Sequence, residues 1–237
     1  MTTLRETWLR PWRWLLPWRC LLCGAAGADG VDLCADCAAE VPRNRSCCVR
    51  CALPLATTAA VCGECVRRAP PWDAAWAPFR YGWPLDRLES RFKFGRDLAA
   101  GRTLATLWRR EVMSLPKPEL LLPVPLHRVR LRQRGYNQAH ELAKPLGRHL
   151  GVPLRHDVLS RCRGTTAQTD LDAAGRRRNV RGAFVLRAGI ALPAHVAILD
   201  DVMTTGATLA ECSRVLKRAG VQRVDVWALA RAPSPRG

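Results

Sequence analysis

The sequence predicts an α/β fold in which a parallel sheet flanked by helices is preceded by a small Cys-rich module. Three observations carry that prediction. Apolar strand-like runs alternate with helical periodicity from about residue 71 onward, with connections long enough for right-handed crossovers. One of those runs, Val196 to Leu199, is short, apolar throughout and followed at once by polar residues, as in a strand covered on both faces. Four Cys-x-x-Cys pairs occupy the first part of the chain: Cys20/Cys23, Cys34/Cys37, Cys48/Cys51 and Cys62/Cys65. At 237 residues the chain is long enough for one sizeable core and an appended module. On this reading residues 1–18 form a Trp- and Arg-rich segment, 19–70 the Cys-rich module and 71–237 the α/β domain.

The elements follow in order. The segment from Trp8 to Trp18 is broken by Pro11, Pro17 and arginines, which excludes a signal-peptide apolar region. No apolar run approaches the ~20 residues a bilayer requires. A cytosolic protein is therefore expected. The N-terminal segment has two readings: a short amphipathic stretch on a membrane surface, or one that packs on the protein or stays partly disordered. Successive cysteine pairs start 14 residues apart. Thiolates two residues apart in a tight turn can grip one tetrahedral ion, and four close a structural zinc site. Eight cysteines suffice for two zincs. The sets are either tandem, Cys20/Cys23/Cys34/Cys37 and Cys48/Cys51/Cys62/Cys65, or interleaved. A cytosol keeps thiols reduced, which argues against disulfides. Cys47 is a stand-in ligand, whereas Cys162 and Cys212 read as ordinary cysteines.

A Pro- and Trp-containing linker, residues 66–78, marks the boundary. Trp72, Trp76, Trp83, Phe92 and Phe94 have two uses, stacking bases or packing one module on the other, and packing is favoured. Residues 85–113 are helical, and Gly95 and Gly101 divide them in two. Leu120 to Val124 is a strand. A basic loop follows, with Arg128, Arg130, Arg132, Arg134, Gly135 and Asn137, and Asn137 caps the next helix. That helix, residues 137–150, carries Pro145, where proline costs ~3 kcal/mol, so a break is expected near Lys144. Residues 161–181 are polar and basic and suit a lid. A strand at 183–186 precedes the Val196 strand in the sequence, and one at 221–229 follows it. After that strand come Asp200 and Asp201, the small loop Thr204-Thr205-Gly206-Ala207-Thr208, and a helix that Gly220 stops.

Strand, paired acids, hydroxyl-rich loop and helix have a chemical meaning together. Backbone N–H groups converge in front of a helix N-terminus, where phosphate is favoured. Carboxylates at the strand's carboxyl end accept hydrogen bonds from two sugar hydroxyls. A phosphate site beside a diol site describes a ribose 5-phosphate. The basic loop after the preceding strand suits a pyrophosphate, because ligands gather outside the carboxyl ends of parallel strands and the Arg fork matches phosphate oxygens.

This order of residues resembles the 5-phosphoribosyl 1-pyrophosphate (PRPP) motif of type I phosphoribosyltransferases. The resemblance implies that Asp200 and Asp201 hold the ribose hydroxyls and act in catalysis. It implies that Thr204, Thr205, Gly206, Ala207 and Thr208 wrap the 5-phosphate, and that Mg²⁺ accompanies the pyrophosphate. Arg132, Arg134, Gly135 and Asn137 are the candidates for the pyrophosphate loop. Further segments sharpen the likeness: Leu122-Pro-Val-Pro-Leu126, Arg134-Gly-Tyr-Asn-Gln138, Glu141-Leu-Ala143, Arg176 to Val180 and Gly182-Ala-Phe184. With Phe92-Lys93-Phe94 and the cysteine pairs, they are similar to the ComF family of competence-associated proteins, over nearly the whole chain after Cys20. That family implies a double zinc ribbon, handling of single-stranded DNA in natural transformation, and a competence helicase-type partner.

Formal net charge is +18, and four of the 38 Lys and Arg residues are Lys. Such a balance suits a polyanion, although an Arg- and Ala-rich bias throughout the chain gives the same total. Two other functions stay open at this point: a salvage or biosynthetic phosphoribosyltransferase with a small acceptor, and a PRPP-sensing regulator that binds nucleic acid without catalysis.

Overall fold

A computed structural model describes residues 17–56, 59–112, 115–163 and 173–233. The N-terminal Trp/Arg segment before residue 17 and residues 164–172 of the expected lid lie outside them. In the Cys-rich module two one-turn helices, α1 (Ala35–Ala39) and α2 (Gly63–Arg67), each start at a cysteine, Cys34 and Cys62. The main sheet follows: β1 (Ala74–Trp76), β2 (Phe79–Arg80), β3 (Leu120–Pro123), β6 (His195–Met203) and β7 (Arg223–Arg231). Between them lie α3 (Leu85–Phe94), α4 (Leu98–Glu111), α5 (Arg128–Arg134) and α6 (Gln138–Leu150). A small antiparallel pair, β4 (Leu159–Arg161) and β5 (Phe184–Leu186), brackets α7 (Ala173–Val180). Helix α8 (Ala207–Arg218) joins β6 to β7.

The main sheet is parallel throughout, in the order β1-β7-β6-β3, with β2 also on β7. The register runs unbroken from Ala74 opposite Asp225 to Arg80 opposite Arg231. Thus β1 and β2 are one edge strand interrupted at Pro78, and an edge is where a proline is tolerated. Alternation along β6 builds two cores. Ala197 and Leu199 pack with α3, α4 and α6, while Val196 and Ile198 pack with α8 on the other face. The expected parallel sheet with helices on both faces and a Cys-rich module before it is what the chain forms.

The module is built into this sheet. The segment at Arg43 bridges Phe79 antiparallel, and Asn44, buried, donates from Nδ2 to the carbonyls of Ala52 (2.8 Å) and Ala77 (3.0 Å). Its two halves join different cores. Cys20, Val31, Leu33, Cys34 and Val41 pack on the α3/α4 side, whereas Cys51 and Ala52 pack with Trp72 on the α8 side. Among the described residues no helix is long and apolar enough to cross a membrane.

Four sequence expectations need correction. Gly101 does not end a helix; it is buried inside α4, and the break falls at Gly95 to Asp97, with the Asp97 carboxylate capping α4 through the N–H groups of Ala99 and Ala100. The Phe92 ring fills the space over Gly101, so the glycine serves packing. Pro145 does not break α6, which runs through it to Leu150. The helix buries Ala139, Leu142, Ala143 and Leu146 along one face, and that burial outweighs one missing backbone bond. The basic stretch after β3 is not a loop but the helix α5, ended by Gly135 at φ +85°. The strand expected to stop at Leu199 continues through both acids to Met203.

Candidate functional site

At the carboxyl end of β6 the two acids project to opposite sides, as adjacent strand positions must. Asp201 turns toward α3, where Lys93 Nζ lies 3.1 Å from its Oδ2 and 2.8 Å from Glu89 Oε1. Asp200 turns toward α8, into the electrostatic reach of Arg161 and Cys212. The backbone holds both carboxylates: Asp201 N–H donates to Asp200 Oδ1 (3.0 Å) and Val202 N–H to Asp201 Oδ1 (2.7 Å). Their protonation diverges. Burial, and then the neighbouring Asp201, push the Asp200 carboxyl well above the usual range. Burial opposes ionisation of Asp201 as well, but Lys93 and the Val202 N–H hold its carboxyl below that range. Glu89 is raised by burial and by Asp201. The two carboxylates therefore differ: Asp201 holds its ionised form, and Asp200 takes up a proton more readily.

The loop after the acids ends at Gly206, φ +69°, which caps α8. A side chain at that position is strained by the backbone angle and would also meet Trp72 Cη2 at 2.9 Å and Met203 Cε at 3.0 Å. Ala207 N–H donates to Thr205 Oγ1 (3.4 Å), so the loop folds back on the first turn of a twelve-residue helix. Thr204 and Thr205 thus lie in the turn before the helix N-terminus, and Thr208 in its first turn.

The candidate pyrophosphate residues divide. Arg134 sits above the Phe94 ring (5.5 Å) within the fields of Asp201 and Glu89, and burial lowers its pKa. Arg132 is exposed on α5. Asn137 caps α6 through the His140 N–H (3.4 Å) and donates to the Val124 carbonyl (2.9 Å), which fixes the turn after Gly135. The Tyr136 ring stacks on Phe92 at 5.1 Å, and its hydroxyl donates to the Phe92 carbonyl, next to Lys93. That contact ties α5 to α3, so Arg134 and Lys93 approach the acids as a pair. Sequence reasoning missed the part played by Glu89, Lys93 and Arg161. The i, i+4 spacing of Glu89 and Lys93 was a readable signal for their mutual pair, whereas nothing local pointed to Asp201. Of the aromatic set, Trp72 and Phe92 are buried, Trp76 stacks on Trp108, and Trp83 and Phe94 are exposed.

The cysteines close as two tandem sets, Cys20/Cys23/Cys34/Cys37 and Cys48/Cys51/Cys62/Cys65, with the sulfurs of each within 4.8 Å of one another. A tetrahedral zinc with Zn–S bonds of about 2.3 Å needs sulfurs about 3.8 Å apart. Cys23 to Cys34 and Cys51 to Cys62 each measure 3.6 Å. Burial opposes ionisation of Cys20 and Cys48, but backbone N–H groups, from Cys34 and Cys62 first, lower them to about 6 and about 7. Both sets fit structural zinc. Cys47 belongs to neither, so a stand-in ligand is not needed.

Residues 12–66 match the family model for a double zinc ribbon domain. The chain is 38% identical over 208 residues to competence protein F of Haemophilus influenzae, covering 84% of this chain and 90% of that one. It is 36% identical over 208 residues, with the same coverage, to the DNA utilization protein YhgH of Salmonella typhi. To competence protein ComFC of Streptococcus pneumoniae it is 25% identical over 156 residues, 65% of this chain and 67% of that one. Among solved structures, an adenine phosphoribosyltransferase from Thermoanaerobacter pseudethanolicus is 15% identical at a TM-score of 0.36, over 57% of this chain and 82% of that chain.

Proposed function

The chain belongs to the ComF family of competence and DNA-utilization proteins, and we propose that it binds PRPP at the end of β6 and handles single-stranded DNA in the cytosol. The observation that supports the PRPP reading is one continuous segment. Strand β6 carries Asp200 and Asp201 and ends at Met203, Thr204 to Gly206 make the turn, and helix α8 begins at Ala207 with Thr208 in its first turn. The acids suit the ribose hydroxyls, and the loop N–H groups suit the 5-phosphate. Arg134 and Lys93 suit the pyrophosphate end, where Mg²⁺ would add further charge neutralisation. Binding would arise from positioning and charge, and the chain's own groups name no acceptor for a ribosyl transfer. The DNA reading is supported by the relatives' printed names, competence and DNA utilization, and by the net charge of +18.

One paired titration tests both halves. PRPP with Mg²⁺ and, separately, a single-stranded oligonucleotide are titrated into the wild type and into the Asp200→Asn, Asp201→Asn double variant. The variant should lose PRPP by at least ~100-fold, keep its melting temperature within a few degrees and keep the oligonucleotide, whose affinity falls as salt rises. Unchanged PRPP binding in the variant would remove the acids from the site. An oligonucleotide that fails to bind at low salt would remove DNA from the proposal.

A further inference from the structure

Arg231, the last residue of β7, is 7% exposed. Its Nε donates to the Cys51 carbonyl (2.9 Å), and its Nη1 donates to the carbonyls of Met203 (3.0 Å), Thr204 (2.5 Å) and Ala232 (2.5 Å). Among the described residues no carboxylate forms an ion pair with it. A guanidinium keeps its charge, and a buried cation with only carbonyl partners needs a counter-charge nearby. Cys51 belongs to the second cysteine set. Four thiolates around one zinc carry a net charge of about −2, so metal loading supplies that counter-charge next to the guanidinium.

Trp72 makes a parallel connection. It is buried, its Nε1 donates to the Arg50 carbonyl (2.5 Å), and its ring covers Gly206 where a side chain would stand. Arg50 and Cys51 form the turn between Cys48 and the helix side of the set. Each of these two side chains therefore holds the second metal knuckle at one end and the Met203 to Gly206 backbone at the other. Among the described residues the first cysteine set has no such link to the loop: it packs in the other core, against α3 and α4.

We propose that Arg231, supported by Trp72, is a positioning residue that couples metal loading of the second cysteine set to the shape of the Thr204–Thr208 loop. The coupling stands on the loop's geometry; only its ligand readout rests on the PRPP reading above. Loss of the second metal loosens the knuckle carbonyls of Arg50 and Cys51 that Trp72 and Arg231 hold, and the loop loses two braces. By linkage, a ligand that orders the loop also tightens the second metal and leaves the first alone.

Hydrogen exchange across residues 202–208 of the full-length protein tests this, with an α4 peptide as the internal reference and PRPP affinity measured beside it. Cys65→Ser in the second set and Arg231→Met should each speed exchange in the loop about tenfold or more, with the α4 peptide unchanged, and weaken PRPP by a similar factor. Cys23→Ser in the first set should move loop exchange less than twofold. Arg231→Lys keeps the charge but cannot span the carbonyls, and should fall between Arg231→Met and wild type. If Cys65→Ser or Arg231→Met fails to fold, Arg231→Lys decides, since it keeps the charge and the packing and deletes only the span from the Cys51 carbonyl to the Met203 and Thr204 carbonyls: faster loop exchange supports the coupling and unchanged exchange overturns it. Loop exchange within twofold of wild type in a Cys65→Ser protein that has lost one zinc also overturns it. If wild type ignores PRPP while the exchange pattern holds, the ligand reading fails and the coupling stands.

Discussion

Lys93 bridges two carboxylates that no nearby sequence connects. It pairs with Glu89 one turn back on α3 and with Asp201 more than a hundred residues away. It is the cation that keeps Asp201 ionised in a corner whose burial favours the protonated acid. Lys93→Met leaves Glu89 and Asp201 facing each other without it. Because Lys93 is partly exposed, the cost should be about 2–3 kcal/mol at neutral pH, below that of breaking a fully buried pair. The sign of its pH dependence follows. In the wild type the lowered Asp201 contributes stability above its unfolded pKa, which is lost as the pH falls through the lowered folded value. In the variant both acids have folded pKa values above their unfolded ones, so protonation relieves the folded state. The variant's deficit should therefore be smaller at pH 5 than at pH 7, measured by denaturant unfolding at both. A deficit that grows toward pH 5 would contradict this role. At this scale the acids, the Thr-Thr-Gly loop and the cysteine ligands were legible because their chemistry is local. Lys93, Arg161 and Arg231 were not, because each acquires its role only when distant strands meet.

Among the elements, the sequence reading went wrong where a local rule met a tertiary contact. Gly101 reads as a helix breaker, yet α4 runs through it because Phe92 needs the space. An alanine there gains up to ~1 kcal/mol of helix propensity, but its Cβ would lie 2.4 Å from Phe92 Cε2. Overpacking of that kind costs about 1–3 kcal/mol, so Gly101→Ala should lower the melting temperature by several degrees. A melting temperature at or above wild type would show that the ring can move away. Pro145 repeats the lesson with the opposite device: the buried face of α6 tolerates a residue that an isolated helix rejects. The helix α5 hid behind a run of arginines that reads as a solvated loop, and its stop, Gly135, reads there as one more loop residue. By contrast, β6 and α8 were legible because periodicity, acids and glycine all agreed.

For the whole molecule, the parallel sheet and the cysteine module were legible from alternation and spacing, and the way they join was not. The two halves of the module enter different cores of the same sheet, the first beside α3 and α4 and the second beside the loop after β6. This arrangement follows from Asn44, which reaches the Ala77 carbonyl 33 residues away, and from the edge strand, which pairs with β7 far along the chain, and no spacing rule reports it. It also places the second metal knuckle against the candidate ligand loop, so the module acts as a wall of the site as well as an appendage. On the proposed reading, one end of β6 offers a phosphate loop and a diol clamp side by side. Calorimetric titration of the wild type with PRPP, ribose 5-phosphate and pyrophosphate, each with Mg²⁺, tests it most directly. PRPP should bind tightest, ribose 5-phosphate should retain measurable affinity through the loop and the acids, and pyrophosphate alone should bind weakest. Pyrophosphate binding as tightly as PRPP, with no affinity for ribose 5-phosphate, would contradict it.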